Sequence, residues 1–230
     1  MANQTRNEVW KMFNQISSSY DRINRVLSLG RDRAWRKKVA KEMPLKPHLE
    51  VLDLATGTGD QLIALFQAGL SIQRAVGIDL AEEMLNIGRA KVAANPKIEL
   101  KLGDAMSLPF ADQSFDAATF SFGIRNVTDP LVSLQEIYRV LKPKGRCLIL
   151  EFSMPKPLIR PFFLFYLRKI LPRVGGILSN NQAAYRYLNQ TIETFPSGQA
   201  FLDVMKQAGF RALRKIPMNF GGVTLYIGDR

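Results

Sequence analysis

Apolar positions recur along this chain with two different periods, and the change from one to the other divides it. From Val9 to Met43 the period is helical. Val9, Phe13, Ile16, Tyr20 and Ile23 return at spacings of three and four with polar residues between, which predicts an amphipathic helix. Gly30 is expected to separate it from a second helix that Pro44 and Pro47 then end. From residue 50 short apolar runs alternate with helical stretches. "VLDLA" (51–55), "RAVGIDL" (74–80), "IELKLGD" (98–104), "FDAATFSF" (115–122) and "GRCLILEFS" (145–153) read as strands. "QLIALFQAG", "AEEMLNIGRAKVAA" and "LVSLQEIYRVL" read as helices between them. Such alternation predicts an open, largely parallel α/β sheet with helices on both faces. After the helix "GQAFLDVMKQAGF" come two strands, near 211–216 and 223–227, joined only by "PMNFGG". So short a connection requires an antiparallel pair, which completes a seven-stranded sheet with an antiparallel edge.

One segment breaks the alternation. "PLIRPFFLFYLRKILPRVGGIL" (157–178) mixes aromatics and leucines with Arg160, Arg168, Lys169 and Arg173. It is too short and too charged to span a bilayer, and suits a lid over an apolar substrate, an interfacial segment, or a helix packed on the sheet. The 230 residues therefore divide as one domain. Its parts are a helical cap (1–47), a ligand-binding core (50–153), an apolar-basic insertion (154–190) and a C-terminal helix with antiparallel strands (191–230).

Composition changes this picture in two places. The single cysteine, Cys147, lies inside an apolar strand, so neither a disulfide framework nor a zinc site is expected, and a reducing cytoplasm is favoured. "MANQTRNEVW" lacks the apolar core of a secretion signal. The formal net charge is +12, with a local cluster in "RDRAWRKKVAK" (31–41). A basic surface attracts nucleic acid, anionic lipid or acidic partners, and says nothing about fold.

The chemistry gathers at strand ends. "VLDLATGTGD" joins a strand, a glycine turn and a helix start, where Gly57 and Gly59 let a ligand approach the backbone. Leu62 stands where a dinucleotide fingerprint has its third glycine. Asp79, with Leu80 beside it, ends the second strand 22 residues after Gly57, a position from which a carboxylate accepts both hydroxyls of a ribose. Asp104 ends the third strand within reach of an adenine amino group. Each acid could instead cap a helix. Several of them at consecutive strand ends point to a nucleoside. Asp53 is expected either to organise the turn or to meet a cationic ligand. With Asp60 it disfavours a pyrophosphate and favours a sulfonium, the charge pattern of S-adenosylmethionine.

"VLDLATGTGD", "GIDLAEEML", "GDAMSLPFADQSFD" and "RVLKPKGR" resemble, in order, the motifs of the class I S-adenosylmethionine-dependent methyltransferases, a Rossmann-like fold. More narrowly, "YDRINRVLSLG", "FSFGIRNVTDP", "LILEFSMP", "AYRYLNQTIETFPS" and "NFGGVTLYIG" resemble the ubiquinone/menaquinone biosynthesis C-methyltransferases, from about residue 8 to the end. Two positions depart from the family pattern. Lys144 stands where glycine is usual, for which only a turn adjustment is expected, and Thr56 precedes Gly57 where the family often has glycine. The resemblance implies that Thr58, Asp79, Asp104, Ala105 and Ser121 line the S-adenosylmethionine site, and that no metal is needed. It implies C-methylation of a polyprenyl quinol ring, demethylmenaquinol being favoured, by a cytoplasmic protein in transient contact with the inner face of the membrane. Nucleic acid is not the expected partner, and oligomeric state is left open, a homodimer being one option.

Methylating a ring carbon requires a phenolate-like quinol, alignment with the methyl group and exclusion of water. The sole histidine, His48, precedes the first strand, the wrong end of the sheet for ligand chemistry. Arg125 follows the fourth strand at the ligand end, where a fixed cation lowers the quinol pKa and holds the oxyanion while a water takes the proton. The alternative is a structural pair with Asp129 or Glu151. Asn126 and Tyr20 complete the candidate catalytic set, Tyr20 being equally readable as core. Other readings of the chain are methylation of RNA or of another small molecule, and a nucleoside-binding protein without catalysis. RNA enzymes of this fold often carry Asn-Pro-Pro-Tyr after the fourth strand, where "SFGIRN" stands here.

Overall fold

The computed structural model describes residues 8–174 and 182–230. Helices α1 (Val9–Leu27) and α2 (Asp32–Lys41) precede β1 (Leu49–Leu54), α3 (Asp60–Gln67), β2 (Ile72–Asp79), α4 (Glu82–Val92) and β3 (Ile98–Leu102). Then follow β4 (Phe115–Ser121), α5 (Pro130–Val140), β5 (Leu141–Phe152), α6 (Arg160–Phe165), α7 (Gln182–Thr194), α8 (Gln199–Gln207), β6 (Arg211–Met218) and β7 (Val223–Asp229). The seven strands lie in the order β3-β2-β1-β4-β5-β7-β6. β1 to β5 are parallel, and β7 is antiparallel to both β5 and β6. Chain order reverses between β1 and β4, so the crevice at the carboxyl ends of these two strands is where an open α/β sheet binds ligands.

Period-two alternation explains how both faces are filled. Leu52, Leu54, Val76 and Ile78 meet Leu134 and Ile137 of α5 and Phe201 and Met205 of α8 on one face. Val51, Ala75, Ala117 and Leu148 meet Val39, Leu62, Leu65 and Leu85 of α2, α3 and α4 on the other. A sheet covered on both sides reads as continuous apolar runs, as these strands do. β5 begins at Leu141 rather than Gly145, because Leu141 pairs with Phe115 before a register shift brings Arg146 opposite Ala117. Lys144 takes the adjustment expected of it, at φ 66°, a conformation that glycine would adopt without a Cβ penalty.

A third apolar cluster sits apart from the sheet core. Ile16 and Ile23 of α1 pack with Leu167 and Leu171, beyond α6, and with Ile192 of α7. Tyr166 ties the insertion to α1 by donating to the Leu27 carbonyl at 2.8 Å. The insertion and the N-terminal helix therefore form one cap. Residues 1–7 of the expected helical cap and 175–181 of the expected 154–190 insertion lie outside the described residues. Among the described residues no helix is long and apolar enough to cross a membrane.

Candidate active site

Two strand ends are turned sharply to make the site. Ala55, directly after β1, has φ 46°, and Phe122, directly after β4, has φ 59°. Left-handed conformations at non-glycine residues are held only where surrounding contacts over-determine them, and they concentrate at functional sites. Gly123 fits between them because a Cβ there would come within 2.5 Å of both Ala55 and Phe120. On the neighbouring turn Gly57 (φ 55°) and Gly59 (φ 80°) lead into α3. α4 presses this turn from behind, where a Cβ on Gly88 would lie 3.2 Å from the Gly57 carbonyl oxygen.

A cavity of about 390 Å³ opens over these turns, lined among others by Gly57, Asp79, Leu80, Asp104, Ala105, Ser121 and Asn126. Asp79 accepts the Gly57 and Ala81 amides, each at 2.8 Å, so its carboxylate is aimed by backbone on both sides. It is not the α4 N-cap, a place taken by Ala81. Burial raises its pKa above the ordinary aspartate value. Asp104 closes a local turn through the Met106 amide at 2.8 Å and likewise faces the cavity. Ser121 donates to Gln61 at 3.1 Å. Asn126 is buried, and its Oδ1 has no partner among the described residues. Two carboxylates at adjacent strand ends plus an orphaned carbonyl-type acceptor suit ribose hydroxyls, an amine and a sulfonium. A pyrophosphate, needing donors, would be repelled. The residues present therefore fit S-adenosylmethionine.

Three residues expected to line this cavity stand behind it. Asp53 shares the strand face of Leu49 and Val51, so it points under α2 and α3. There it accepts the hydroxyls of Thr56 (2.7 Å) and Thr119 (2.6 Å), and burial pushes its pKa up to about 6. Asp53 organises the turn, and Thr56, the family departure, is one of its two clamps. Thr58 is turned away from the cavity. Its hydroxyl donates to Asp21 at 2.7 Å and accepts from Lys91 at 3.0 Å, which pins α1 to the glycine turn. Gly59 shapes the start of α3 without reaching the cavity wall. The charge argument from the turn also moves. Asp60 is paired with Lys91, which with neighbouring arginines overrides burial and lowers its pKa. Asp79 and Asp104, not Asp53 and Asp60, give this cavity its negative wall.

A second cavity, of about 370 Å³, lies between the cap and the sheet. Phe13, Tyr20 and Phe122 line both cavities, so the two meet there. Its floor is aromatic, with Trp35, Phe122 and Phe152 in sequence at centroid spacings of 5.7 and 4.7 Å. Arg125 lines it but is also committed to structure. It donates to Glu151 at 2.8 Å and to the carbonyl of the strained Phe122, and its guanidinium lies 5.3 Å above the Phe152 ring. Of the two acids expected as pair partners, Glu151 is the one engaged, whereas Asp129 caps α5 through the Leu131 amide at 2.9 Å. Burial raises Glu151's pKa against the lowering charge of Arg125. The Nε of Arg125 is buried with no partner among the described residues. Tyr20 is half-buried. Burial raises its pKa, opposed by Asn24 and by the charges of Arg36 and Arg125, so at neutral pH it is a phenol and a hydrogen-bond donor. His48 is exposed before β1, away from both cavities, and Cys147 is core.

Several site residues escape a reading by motif. Trp10 and Phe13 of α1 and Met84 of α4 line the first cavity, and Trp35, Arg36 and Phe152 line the second. Arg36 carries a signal in hindsight. It lies inside the apolar stripe Trp35–Val39–Ala40 of α2, where a solvated charge would not be placed.

The model of the ubiE/COQ5 methyltransferase family matches residues 1–230. A protein named ubiquinone/menaquinone biosynthesis C-methyltransferase UbiE from Citrifermentans bemidjiense is 42% identical over 223 residues, covering 95% of this chain and 94% of that one. A demethylmenaquinone methyltransferase from Clavibacter sepedonicus is 39% identical, covering 96% of this chain and 89% of its own. Among solved structures, an S-adenosylmethionine-dependent methyltransferase from Thermotoga maritima superposes with a TM-score of 0.68 at 20% identity, covering 96% of this chain and 99% of that one. That likeness shows the fold, a class I methyltransferase sheet. Matched along its whole length by the family model, and near 40% identical to curated members across almost all of both chains, this chain belongs to the ubiE/COQ5 methyltransferase family.

Proposed function

We propose that this enzyme methylates a ring carbon of a polyprenyl quinol in menaquinone or ubiquinone biosynthesis, with demethylmenaquinol as the favoured acceptor and S-adenosylmethionine as donor. One observation carries the proposal beyond family membership. A cavity walled by Asp79 and Asp104 meets an aromatic cavity at Tyr20, so a nucleoside and a flat apolar ring can share one boundary. Bound S-adenosylmethionine supplies an electrophilic methyl group on a sulfonium. The chain does the rest. Asp79 holds the ribose and Asp104 the base. Phe122 and Phe152 hold the ring plane, and the α1–α6 cap keeps out water. Arg125 and the Tyr20 phenol face the quinol oxygen beside the reacting carbon and favour its phenolate as the proton leaves to water. Asn126 orients the donor end. Incubation with methyl-labelled S-adenosylmethionine and a short-chain demethylmenaquinol is expected to label the quinol, and bulk RNA is expected to stay unlabelled. Labelled RNA with unlabelled quinol would overturn the proposal.

The rim of the second cavity supports a peripheral membrane contact as the route for the tail. Leu29 and Phe220 line the cavity while being 82% and 71% exposed, and Leu158, Phe162 and Phe165 continue an exposed apolar face beside Lys156 and Arg160. Apolar side chains flanked by basic ones suit an anionic lipid surface. The double variant Phe162→Asp/Phe165→Asp is expected to lose at least tenfold in co-sedimentation with phosphatidylglycerol-containing vesicles, yet to methylate a short-chain soluble quinol at the wild-type rate. Undiminished sedimentation would remove α6 from the membrane contact.

A further inference from the structure

Arg36 lines the second cavity, and its Nε is buried with no hydrogen-bond partner among the described residues. Its cationic neighbours have carboxylate partners, although the Nε of Arg125 is unpartnered as well among the described residues. Arg25 is paired with Asp32, Lys91 with Asp21 and Asp60, and Arg125 with Glu151. A buried guanidinium donor with nothing to donate to is uncommon and calls for a ligand. Arg125 and Arg36, two of the three arginines lining the cavity, enter it from different elements, the turn after β4 and α2. Arg125 lies over Phe152, whereas Arg36 follows Trp35 on α2, with Phe122 between the two rings. The electrostatic influence of both reaches Tyr20, at the junction of the cavities.

A 1,4-quinol carries oxygens at opposite ends of its ring. Such a ring resting on the aromatic floor offers one acceptor to each of the two unpartnered Nε donors, those of Arg125 and Arg36. We infer that Arg36 receives the ring oxygen opposite the one at Arg125, and that the pair of guanidiniums makes the cavity selective for rings oxygenated at both ends. This rests on the quinol assignment above and adds the residue that recognises the second oxygen. Arg36 is thus a substrate-binding residue, and the aliphatic part of its side chain covers apolar floor while its head meets the ligand.

The test compares two acceptors in two proteins. One acceptor is a short-chain prenylated 1,4-naphthoquinol. The other is the analogue lacking only the hydroxyl next to the prenyl-bearing carbon, so that the hydroxyl beside the reacting carbon is kept. Wild type is expected to prefer the quinol by about 30-fold in kcat/KM, the discrimination that a charge-assisted hydrogen bond supplies. Arg36→Met, which keeps the length of the stem, is expected to lower kcat/KM for the quinol by a similar factor, mainly through KM. It is also expected to bring the two acceptors within threefold of each other, with S-adenosylmethionine affinity unchanged. Arg36→Lys is expected to restore part of the preference. A merely structural arginine would weaken both acceptors equally, and a preference that survives in Arg36→Met overturns the inference. Wild type that turns over neither acceptor overturns the quinol assignment itself, and this inference with it.

Discussion

Arg125→Ala is expected to abolish methyl transfer, with turnover falling at least 100-fold, and to destabilise the fold by about 3–5 kcal/mol as well. The two effects have separate origins. Stability is lost because Glu151 is fully buried and would be left without its cation, and because the carbonyl of Phe122, at φ 59°, would lose its donor. Removing one partner of a buried pair leaves the desolvation of the other uncompensated. The pH dependence follows. Burial already raises Glu151's pKa, and loss of Arg125 raises it further. A carboxyl whose folded-state pKa exceeds its unfolded value lends stability that is fully present below the unfolded value and lost as pH rises through the folded one. The single variant should therefore melt at higher temperature near pH 5 than near pH 8. Arg125→Gln/Glu151→Gln replaces the ion pair by two neutral amides, and is expected to recover stability and lose that pH trend. Turnover, by contrast, should stay at least 100-fold down in the double variant, because no guanidinium faces the oxygen beside the reacting carbon. Calorimetry, denaturant melts and labelled methyl transfer on the same preparations separate the two contributions. Wild-type turnover in the double variant would leave Arg125 a structural residue only.

Asp79→Ala is expected to weaken S-adenosylmethionine binding by at least 100-fold. A carboxylate accepting two hydroxyls makes two charge-assisted hydrogen bonds, each worth about 1.5–3 kcal/mol. The same carboxylate holds the Gly57 and Ala81 amides, so its removal also loosens the turn that shapes the cavity. Asp79→Asn keeps one acceptor oxygen and loses the charge, and should fall between alanine and wild type. Because burial raises the pKa of Asp79, affinity should decline as pH drops through a value above the ordinary aspartate range, and the decline should be absent in Asp79→Asn. Isothermal titration across pH measures both. A dissociation constant within threefold of wild type in Asp79→Ala would place the ribose elsewhere.

These two residues also divide cleanly in how they were legible. Asp79 could be found without coordinates, because a glycine turn and an acid at the next strand end are local patterns, and the parallel α/β frame places strand ends together. Arg125 could be placed at the ligand end, but its partner Glu151, 26 residues on, could not be chosen over Asp129 by spacing. The same limit applied to Asp53. Both faces of the sheet are covered by helices, so hydrophobicity does not say which face holds a given strand residue, and only the positions of Thr56 and Thr119 show it turned under α2 and α3. The direction of Thr58 is hidden for a related reason, since its partner Asp21 belongs to the capping helix, 37 residues earlier.

Period and punctuation in the sequence determined the order of elements, the antiparallel edge, the glycine turn and the acids beside it, since all of these are properties of residues near one another along the chain. Tertiary structure alone decided that the capping helix and the insertion pack into one apolar cluster. It also decided that two cavities join at Tyr20, and that a charge lying in an apolar helical stripe, Arg36, lines the second of them with its Nε unpartnered among the described residues. Such contacts close large loops in the chain, and the side chains that meet across them leave no periodic trace in either segment.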